Sequence, residues 1–389
     1  MHVLIVASYA PSLLNFRGPL IRDIVAVGHQ ISVSAPDIGN EIRTPLESLG
    51  VRVYETPLQR TGFDAMSDIA YLRSLRDLMR RLKPDVALTY TIKPNIWGAF
   101  AAKKAGIPVV AMVTGLGYAF TDDPSGGSLK QKLTAALARR LYRSATNINR
   151  AVIFQNPDDR EDFARLGCLA DPTKVRMVNG SGVDMAHYSR VPLPEEPVFL
   201  WIGRLLGNKG VREYAEAALE IRAEQPRARF VIVGRLDEGP DSVSQSELDV
   251  WIARGIEFRG YMQDVRSAIA EARVYVLPSY REGTPRSVLE AMAMGRPIIT
   301  TDAPGCRETV RDGESGLLVP VRDAKALAAA MRRLIEDPER TTAMGEMSYR
   351  LCAEKYDVNA VNRTMMRHLG LLADVECRSV KGQALGNGP

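Results

Sequence analysis

The sequence predicts an α/β protein built from two doubly wound parallel-sheet domains that face each other across a cleft. Short β-branched runs alternate with amphipathic helical stretches along the chain, as expected for parallel strands joined by crossovers of a dozen or more residues. The alternation stops and restarts at VPLPEEP, residues 191–197, whose prolines mark a linker. A length of 389 residues exceeds one ordinary core and fits about two domains.

In the first domain, residues 1–190, strands are expected at HVLIVA, QISVSA, RVYET, DVALTY, PVVAMV and RAVIFQ. Helices are expected over FRGPLIRDIVAVG and IAYLRSLRDLMRRLKP. The opening run is short and lacks a basic leader, so it reads as a buried strand rather than a signal peptide. In the second domain, residues 195–355, strands are expected at VFLWIG, ARFVIVG, IEFRG, VYVLPS, PIITTD and GLLVP. Its helices are VREYAEAALEIRAE, DVRSAIAEA, PRSVLEAMAMG and DAKALAAAMRRLIED. Such near-continuous Val/Ile/Leu runs suit strands covered on both faces. A last helix is expected at about 356–373, and residues 376–389 lose periodicity and should fray.

Hydrophobic residues make up 46% and charged residues 25%, an ordinary globular balance. No apolar run approaches the roughly 20 residues of a membrane span. Cys168, Cys306, Cys352 and Cys377 are widely spread without a CxxC pair. Neither a disulfide framework nor a zinc site is therefore expected, and a reducing, cytosolic compartment fits. The histidines, His2, His29, His187 and His368, are equally scattered. Net charge is +5, with about +7 on residues 1–190 and about −2 on the rest. A basic half either meets an anionic partner, such as phosphate or a membrane surface, or is a solvated face. Nucleic acid is not expected at a pI near 9.0, because no arginine–aromatic motif accompanies the charge.

The stretch REGTPRSVLEAMAMGRP, residues 281–297, follows a strand ending at Ser279. Thr284 stands where a cap belongs and Pro285 where the first helical turn tolerates proline. Such a helix aims free N–H groups and its positive dipole end at the mouth of the sheet, a ready anion site. Glu282 precedes the turn and can project into the cleft. Glu290, inside the helix, can accept from a polyol. Alone, the pair reads equally well as a capped helix with an exposed glutamate. WIGRLLGNKGV, residues 201–211, places Arg204 and Lys209 among glycines, Gly203 included, at a strand-to-helix junction. Fork-shaped and point cations there suit a diphosphate. A Walker A loop is excluded by the glycine-to-lysine spacing.

GR…NKG followed by EGTPRSVLE resembles the retaining glycosyltransferases of family 4, which have the GT-B fold. Their E-x7-E motif is matched by Glu282 and Glu290. The resemblance covers essentially the whole chain. NFRGPLIRDIVAVGHQISV, YTIKPNIWGAFAAKKAGIPVV, GLGYAF and DAPGCRETVRDGESGLLVP are similar to the subgroup that builds capsule, O-antigen and lipid-linked glycans, undecaprenyl-diphosphate-sugar α-N-acetylgalactosaminyltransferases included.

The resemblance implies that Arg204 and Lys209 hold the donor diphosphate and that Glu282 binds hydroxyls of the transferred sugar. It implies that amides around Gly283 to Pro285 serve the sugar, although Pro285 has no N–H to give, and that those near Ser287 and Val288 serve the phosphate. Glu290 would accept from the ribose, and the base would lie against Gly234, Arg259 and Tyr261. The last helix would pack back on the first domain. The implied reaction moves a sugar, an N-acetylhexosamine, from a UDP-sugar to a polyprenyl-diphosphate-linked saccharide, by front-face attack and without a metal or other cofactor. The implied location is cytoplasmic, peripheral at the inner face of the plasma membrane. A sugar-nucleotide epimerase of the same fold and a non-catalytic binding subunit are the rival readings.

The first domain departs from the family. Many members carry paired glycines after the first strand, where this chain has Asn15, Phe16, Arg17 and Gly18. Arg17 is either a phosphate ligand or a helix-surface cation. The family histidine is replaced by Thr114 and Gly115, and YTIKPN supplies Tyr90, Thr91 and Lys93. Asn15, Arg17, Lys93, Thr114 and Gly115 are therefore the candidate phosphate or acceptor contacts. Residues 128–145 form a basic amphipathic helix with Leu129, Leu133, Leu137 and Leu141 on one side and Lys130, Lys132, Arg139, Arg140 and Arg143 around them. The leucines are expected to pack inward, and the cations suit docking on an anionic leaflet.

Overall fold

The computed structural model describes residues 1–59, 62, 64–116, 129–239 and 241–373, without side chains at 129–132. The expected tail 376–389 lies outside the described residues.

The first sheet contains β1 (His2–Val6), β2 (Gln30–Ala35), β3 (Arg52–Glu55), β4 (Val86–Tyr90), β5 (Val109–Val113), β6 (Ala151–Phe154) and β7 (Val175–Met177). Their order is β3-β2-β1-β4-β5-β6-β7 and every pairing is parallel. The second sheet contains β8 (Val198–Arg204), β9 (Arg229–Arg235), β10 (Glu257–Phe258), β11 (Val274–Leu277), β12 (Ile298–Thr301) and β13 (Gly316–Val319). It runs β10-β9-β8-β11-β12-β13, again all parallel. The expected strands are all present. Only β7 was not foreseen, because its three residues include two exposed positions and carry little apolar signal.

Helices cover both faces. In the first domain these are α1 (Pro11–Asn15), α2 (Gly18–Ala26), α3 (Asn40–Ser48), α4 (Ala65–Leu82), α5 (Ile92–Ala105), α6 (Leu129–Ile148) and α7 (Pro157–Arg165). In the second they are α8 (Val211–Glu224), α9 (Gln245–Ala253), α10 (Arg266–Glu271), α11 (Arg286–Ala293), α12 (Ala324–Glu336) and α13 (Pro338–Lys355). Local chemistry sets many starts. Asp64, Asn156, Ser244, Asp323 and Asp337 cap α4, α7, α9, α12 and α13 through their side chains, and Ser244 with Glu247 closes a full capping box. The final helix, α14 (Val358–His368), crosses back to the first domain. Its Val361, Met365 and Met366 join the core formed by β1, β2 and α2, and Asn362 Nδ2 donates to Asp23 Oδ2 at 2.7 Å.

The leucine side of α6 does not pack as expected. Ala138, Tyr142 and Ala145 form the buried stripe, while Leu133 and Leu137 are 63% and 51% exposed. Small residues and one tyrosine fit the gap beside α5, where Tyr142 stacks edge-on with Phe163 at 4.9 Å. That leaves Leu133 and Leu137 turned outward, while Leu141 packs partly against the core as expected.

Lys93 is also placed differently. It sits in the first turn of α5, and its Nζ lies 2.9 Å from Asp68 Oδ1 of α4, with side-chain exposures of only 7% and 3%. This cation joins two helices rather than waiting for a phosphate. Removing one partner of a buried pair strands the other charge, at a cost of about 3–5 kcal/mol. Lys93→Ala is therefore expected to lower unfolding stability by about that amount in chemical denaturation. Unchanged stability would contradict the structural role.

Candidate active site

Each sheet reverses its winding once, between β1 and β4 and between β8 and β11. Ligands in such sheets sit beyond the strand carboxyl ends at that reversal. A cleft pocket of about 440 Å³ lies there, lined from both domains. Ser8 and Tyr9 follow β1, Tyr90 and Thr91 close β4, Gly203 and Lys209 come from the β8–α8 junction, and Glu282 to Ser287 from the β11–α11 junction.

On the second-domain side, Lys209 Nζ donates to Glu282 Oε1 at 2.5 Å, and Ser279 Oγ donates to the same oxygen at 2.8 Å. α11 starts one residue later than expected. Pro285 is extended (φ −73°, ψ 109°) and holds the cap position, and Thr284 makes no cap but donates to Gly283 O at 2.9 Å. A cap residue needs no N–H, so proline is tolerated there. Val288 N–H is engaged by Pro285 O at 3.1 Å, which leaves the N–H groups of Arg286 and Ser287 as the first-turn donors available to an anion. Ser287 Oγ, on the pocket wall, accepts from Tyr275 OH at 2.7 Å.

On the first-domain side, Arg17 is 3% exposed and lines the pocket. Its guanidinium lies 5.1 Å over the Tyr90 ring, Nη1 donates to Ser181 Oγ at 3.3 Å, and Nε has no hydrogen-bond partner among the described residues. Burial lowers its pKa from the ordinary value. Among the described residues no carboxylate pairs with it. Tyr90, whose hydroxyl meets Ser12 Oγ at 2.8 Å, is pushed up to about 12 by burial. Thr91 is held at φ 72°, a left-handed conformation that costs about 1–3 kcal/mol and concentrates at functional sites.

Thr114 lines the pocket, and Gly115, at φ 133°, ends 4.0 Å from Gly283 N when its missing Cβ is placed. A side chain there would be strained. Glu290 is buried rather than open to the cleft. Tyr188 OH and Arg286 Nε donate to its Oε1 at 2.9 and 2.8 Å, and burial raises its pKa. Arg204 points to Asp237 Oδ2 at 2.8 Å, and Arg259 to Glu271 Oε2 at 2.7 Å. Tyr261 is 69% exposed, Asn15 faces solvent, and Gly234 sits beside Gly203 in the β8–β9 register. The pocket thus gathers Lys209, Glu282, Ser287, Arg17 and Thr114, and leaves Arg204, Glu290, Gly234, Arg259, Tyr261 and Asn15 off its walls. Gly117 to Phe120 of GLGYAF lie outside the described residues. No group of three or more His, Cys, Asp or Glu side chains among the described residues could hold a metal.

Sequence reasoning missed Gln155 and Ser181 on the pocket wall and Tyr188 beneath it. FQNPDD carries a helix-start signal, Asn before Pro-Asp-Asp. Nothing local says that this start meets the other domain.

Residues 18–180 match the glycosyl transferase 4-like domain, and residues 196–337 match the family described as glycosyl transferases group 1. The chain is 26% identical over 371 residues to a Campylobacter jejuni N,N'-diacetylbacillosaminyl-diphospho-undecaprenol alpha-1,3-N-acetylgalactosaminyltransferase, covering 92% of this chain and 95% of the relative. It is 28% identical to the Escherichia coli UDP-Gal:alpha-D-GlcNAc-diphosphoundecaprenol alpha-1,3-galactosyltransferase, over 74% of this chain and 76% of that one. The crystal structure of Anabaena HepE in complex with UDP-glucose superposes with a TM-score of 0.75 at 19% identity, covering 96% of this chain and all (100%) of that chain. With both domain families matched in order and the GT-B architecture in place, the chain belongs to the family 4 glycosyltransferases.

Proposed function

We propose that the protein is a retaining glycosyltransferase that moves a sugar, an N-acetylhexosamine, from a UDP-sugar to a polyprenyl-diphosphate-linked saccharide in bacterial surface-glycan synthesis. The observation that carries this is the Lys209–Glu282 contact just before α11, with the buried Arg17 cation, which no carboxylate among the described residues pairs, across the same pocket. The names of the Campylobacter and Escherichia relatives support the acceptor class, and the UDP-glucose complex of HepE supports the donor.

In this mechanism the donor diphosphate lies between Lys209 and the first-turn amides of α11, where fixed dipoles stabilise charge on the departing phosphate. An anion there competes with Glu282 for the ammonium and frees the carboxylate for hydroxyls of the transferred sugar. Arg204 can exchange Asp237 for a phosphate at little cost, since an exposed pair is worth about 0–1 kcal/mol. The ribose diol takes the place of the Tyr188 hydroxyl on Glu290, and the base lies by Gly234 and the Arg259–Tyr261 segment. Arg17 receives the second phosphate group in the cleft, that of the acceptor. Attack is from the front face, with the leaving phosphate oxygen taking the proton of the acceptor hydroxyl. These cations carry the charge that a divalent ion bears in other transferases, so no metal is required.

Docking at the inner face of the plasma membrane would bring such an acceptor within reach. Leu133 and Leu137, one turn apart and outward, lie beside the exposed Arg140 and Arg143, and an apolar pair edged by cations suits an anionic leaflet. No helix among the described residues is long and apolar enough to cross a membrane.

Product mass spectrometry with a panel of nucleotide sugars and lipid-diphosphate acceptors tests the reaction. An acceptor-dependent product that survives EDTA is expected, with turnover lower by about 10²-fold or more in Glu282→Ala and weaker donor binding in Glu290→Ala. Unchanged turnover and donor affinity in both variants would refute the assignment, and conversion of the donor without acceptor would indicate an epimerase. Flotation tests the docking surface. Anionic vesicles are expected to carry the protein at low salt and release it at high salt, with less bound after Leu133→Ser and Leu137→Ser. Failure to bind anionic vesicles rejects it.

A further inference from the structure

The start of α7 belongs to the first domain, yet three of its first four residues, counting the cap, bond to the second. Asn156 is 1% exposed. Its Oδ1 accepts from Asp159 N–H at 2.7 Å to cap the helix, and its Nδ2 donates to Gly283 O at 2.7 Å. Asp159, with no exposed surface, accepts at Oδ1 from Arg281 Nη2 at 2.5 Å and from Nε at 3.1 Å. Arg281 Nη2 also lies 2.8 Å from Asp162 Oδ2, and Arg307 Nη1 donates to Asp158 Oδ2 at 2.8 Å.

These partners, Arg281 and Gly283, flank Glu282 on either side. The strand-end residues Thr114 and Gln155 press on the same turn. A Cβ at Gly283 would overlap Thr114 O and stand 2.8 Å from Gln155 Oε1. The backbone around Glu282 is thus fixed from the opposite domain by buried, charge-assisted bonds, the strong class of hydrogen bond. Ordinary surface packing between domains would not select the two neighbours of one carboxylate.

We propose that Asn156 and Asp159 are positioning residues, a cross-domain lock that sets Glu282 for catalysis only when the cleft is closed. This rests on reading the second domain as the nucleotide-sugar site. In that reading the diphosphate, ribose and base are held by second-domain residues, so the lock acts on turnover rather than on nucleotide affinity. Closure against the acceptor-binding domain then becomes a condition for transfer, which protects the donor from reaction in an open cleft.

The test uses the full chain and the variants Asn156→Ser, Asp159→Asn, Arg281→Gln and the Asp159→Asn/Arg281→Gln double. Serine keeps the cap acceptor and removes the donor to Gly283, so Asn156→Ser is expected to melt close to wild type. Each variant is expected to lower kcat about tenfold or more, with UDP affinity by calorimetry within about threefold of wild type. The double variant should be no slower than the slower single, because both changes disrupt the same Asp159–Arg281 pair. Unchanged kcat, a parallel loss of UDP affinity, or multiplying effects in the double would overturn the lock. Small-angle scattering with UDP gives a readout free of turnover. Wild type is expected to be compact and Asn156→Ser larger, and equal size in the two would also overturn it. A wild type that shows the size difference but transfers no sugar would leave the lock standing and remove the functional reading.

Discussion

A lysine ammonium held against one carboxylate oxygen, Lys209 to Glu282 at 2.5 Å, is the contact on which the second domain's site depends. Its two ends arrive from different crossovers, after β8 and after β11, and meet because those strands are neighbours at the reversal of winding. The pair is mostly enclosed, with side-chain exposures of 22% and 15%. Each charge is tolerable there only because the other is present. In the proposed mechanism an incoming phosphate has a specific competitor to displace, and its arrival changes what Glu282 can do. The positive end of α11 adds a fixed field that requires no rearrangement when charge develops.

The first domain answers with less settled chemistry. Arg17 is buried against Tyr90 with no carboxylate among the described residues to balance it, and Thr91 occupies a backbone region that favours glycine. Both features cost stability, and neither is explained by packing. Such violations of local consistency gather where a protein binds something. The same cleft thus has a cation paired with Glu282 on one wall and, on the other, one that no carboxylate among the described residues pairs, which fits two anionic groups entering from two substrates. The α7 start ties these walls together, so the geometry of the turn that carries Glu282 belongs to the interface as much as to either domain.

Much of this was legible in the sequence, and the limits have physical causes. The strands were clear because buried parallel strands are uniformly apolar, and the Glu282–Glu290 pair with Lys209 stood out because proline and glycine mark strand-to-helix junctions. Thr284 misled because a threonine before proline looks like a cap, whereas Pro285 takes the cap position and the Thr284 hydroxyl donates to Gly283 O. Lys93 misled because a lysine at a strand end reads as ligand-facing until Asp68, 25 positions earlier, is seen beside it. Leu133 and Leu137 share a helical face with Leu141, and only the tertiary fit of Ala138 and Tyr142 decides which stripe goes inward. The cross-domain roles of Tyr188, Asn156 and Asp159 left no local signal, since their partners lie more than 100 residues away in the chain.

The most direct measurement of the central claim is a crystal structure of the protein with its UDP-sugar donor. The account predicts the β-phosphate within hydrogen-bond distance of Lys209 Nζ and the Arg286–Ser287 amides, with the Lys209–Glu282 contact opened and Glu282 turned to the sugar. A diphosphate bound elsewhere, with Lys209 still closed on Glu282, would contradict it.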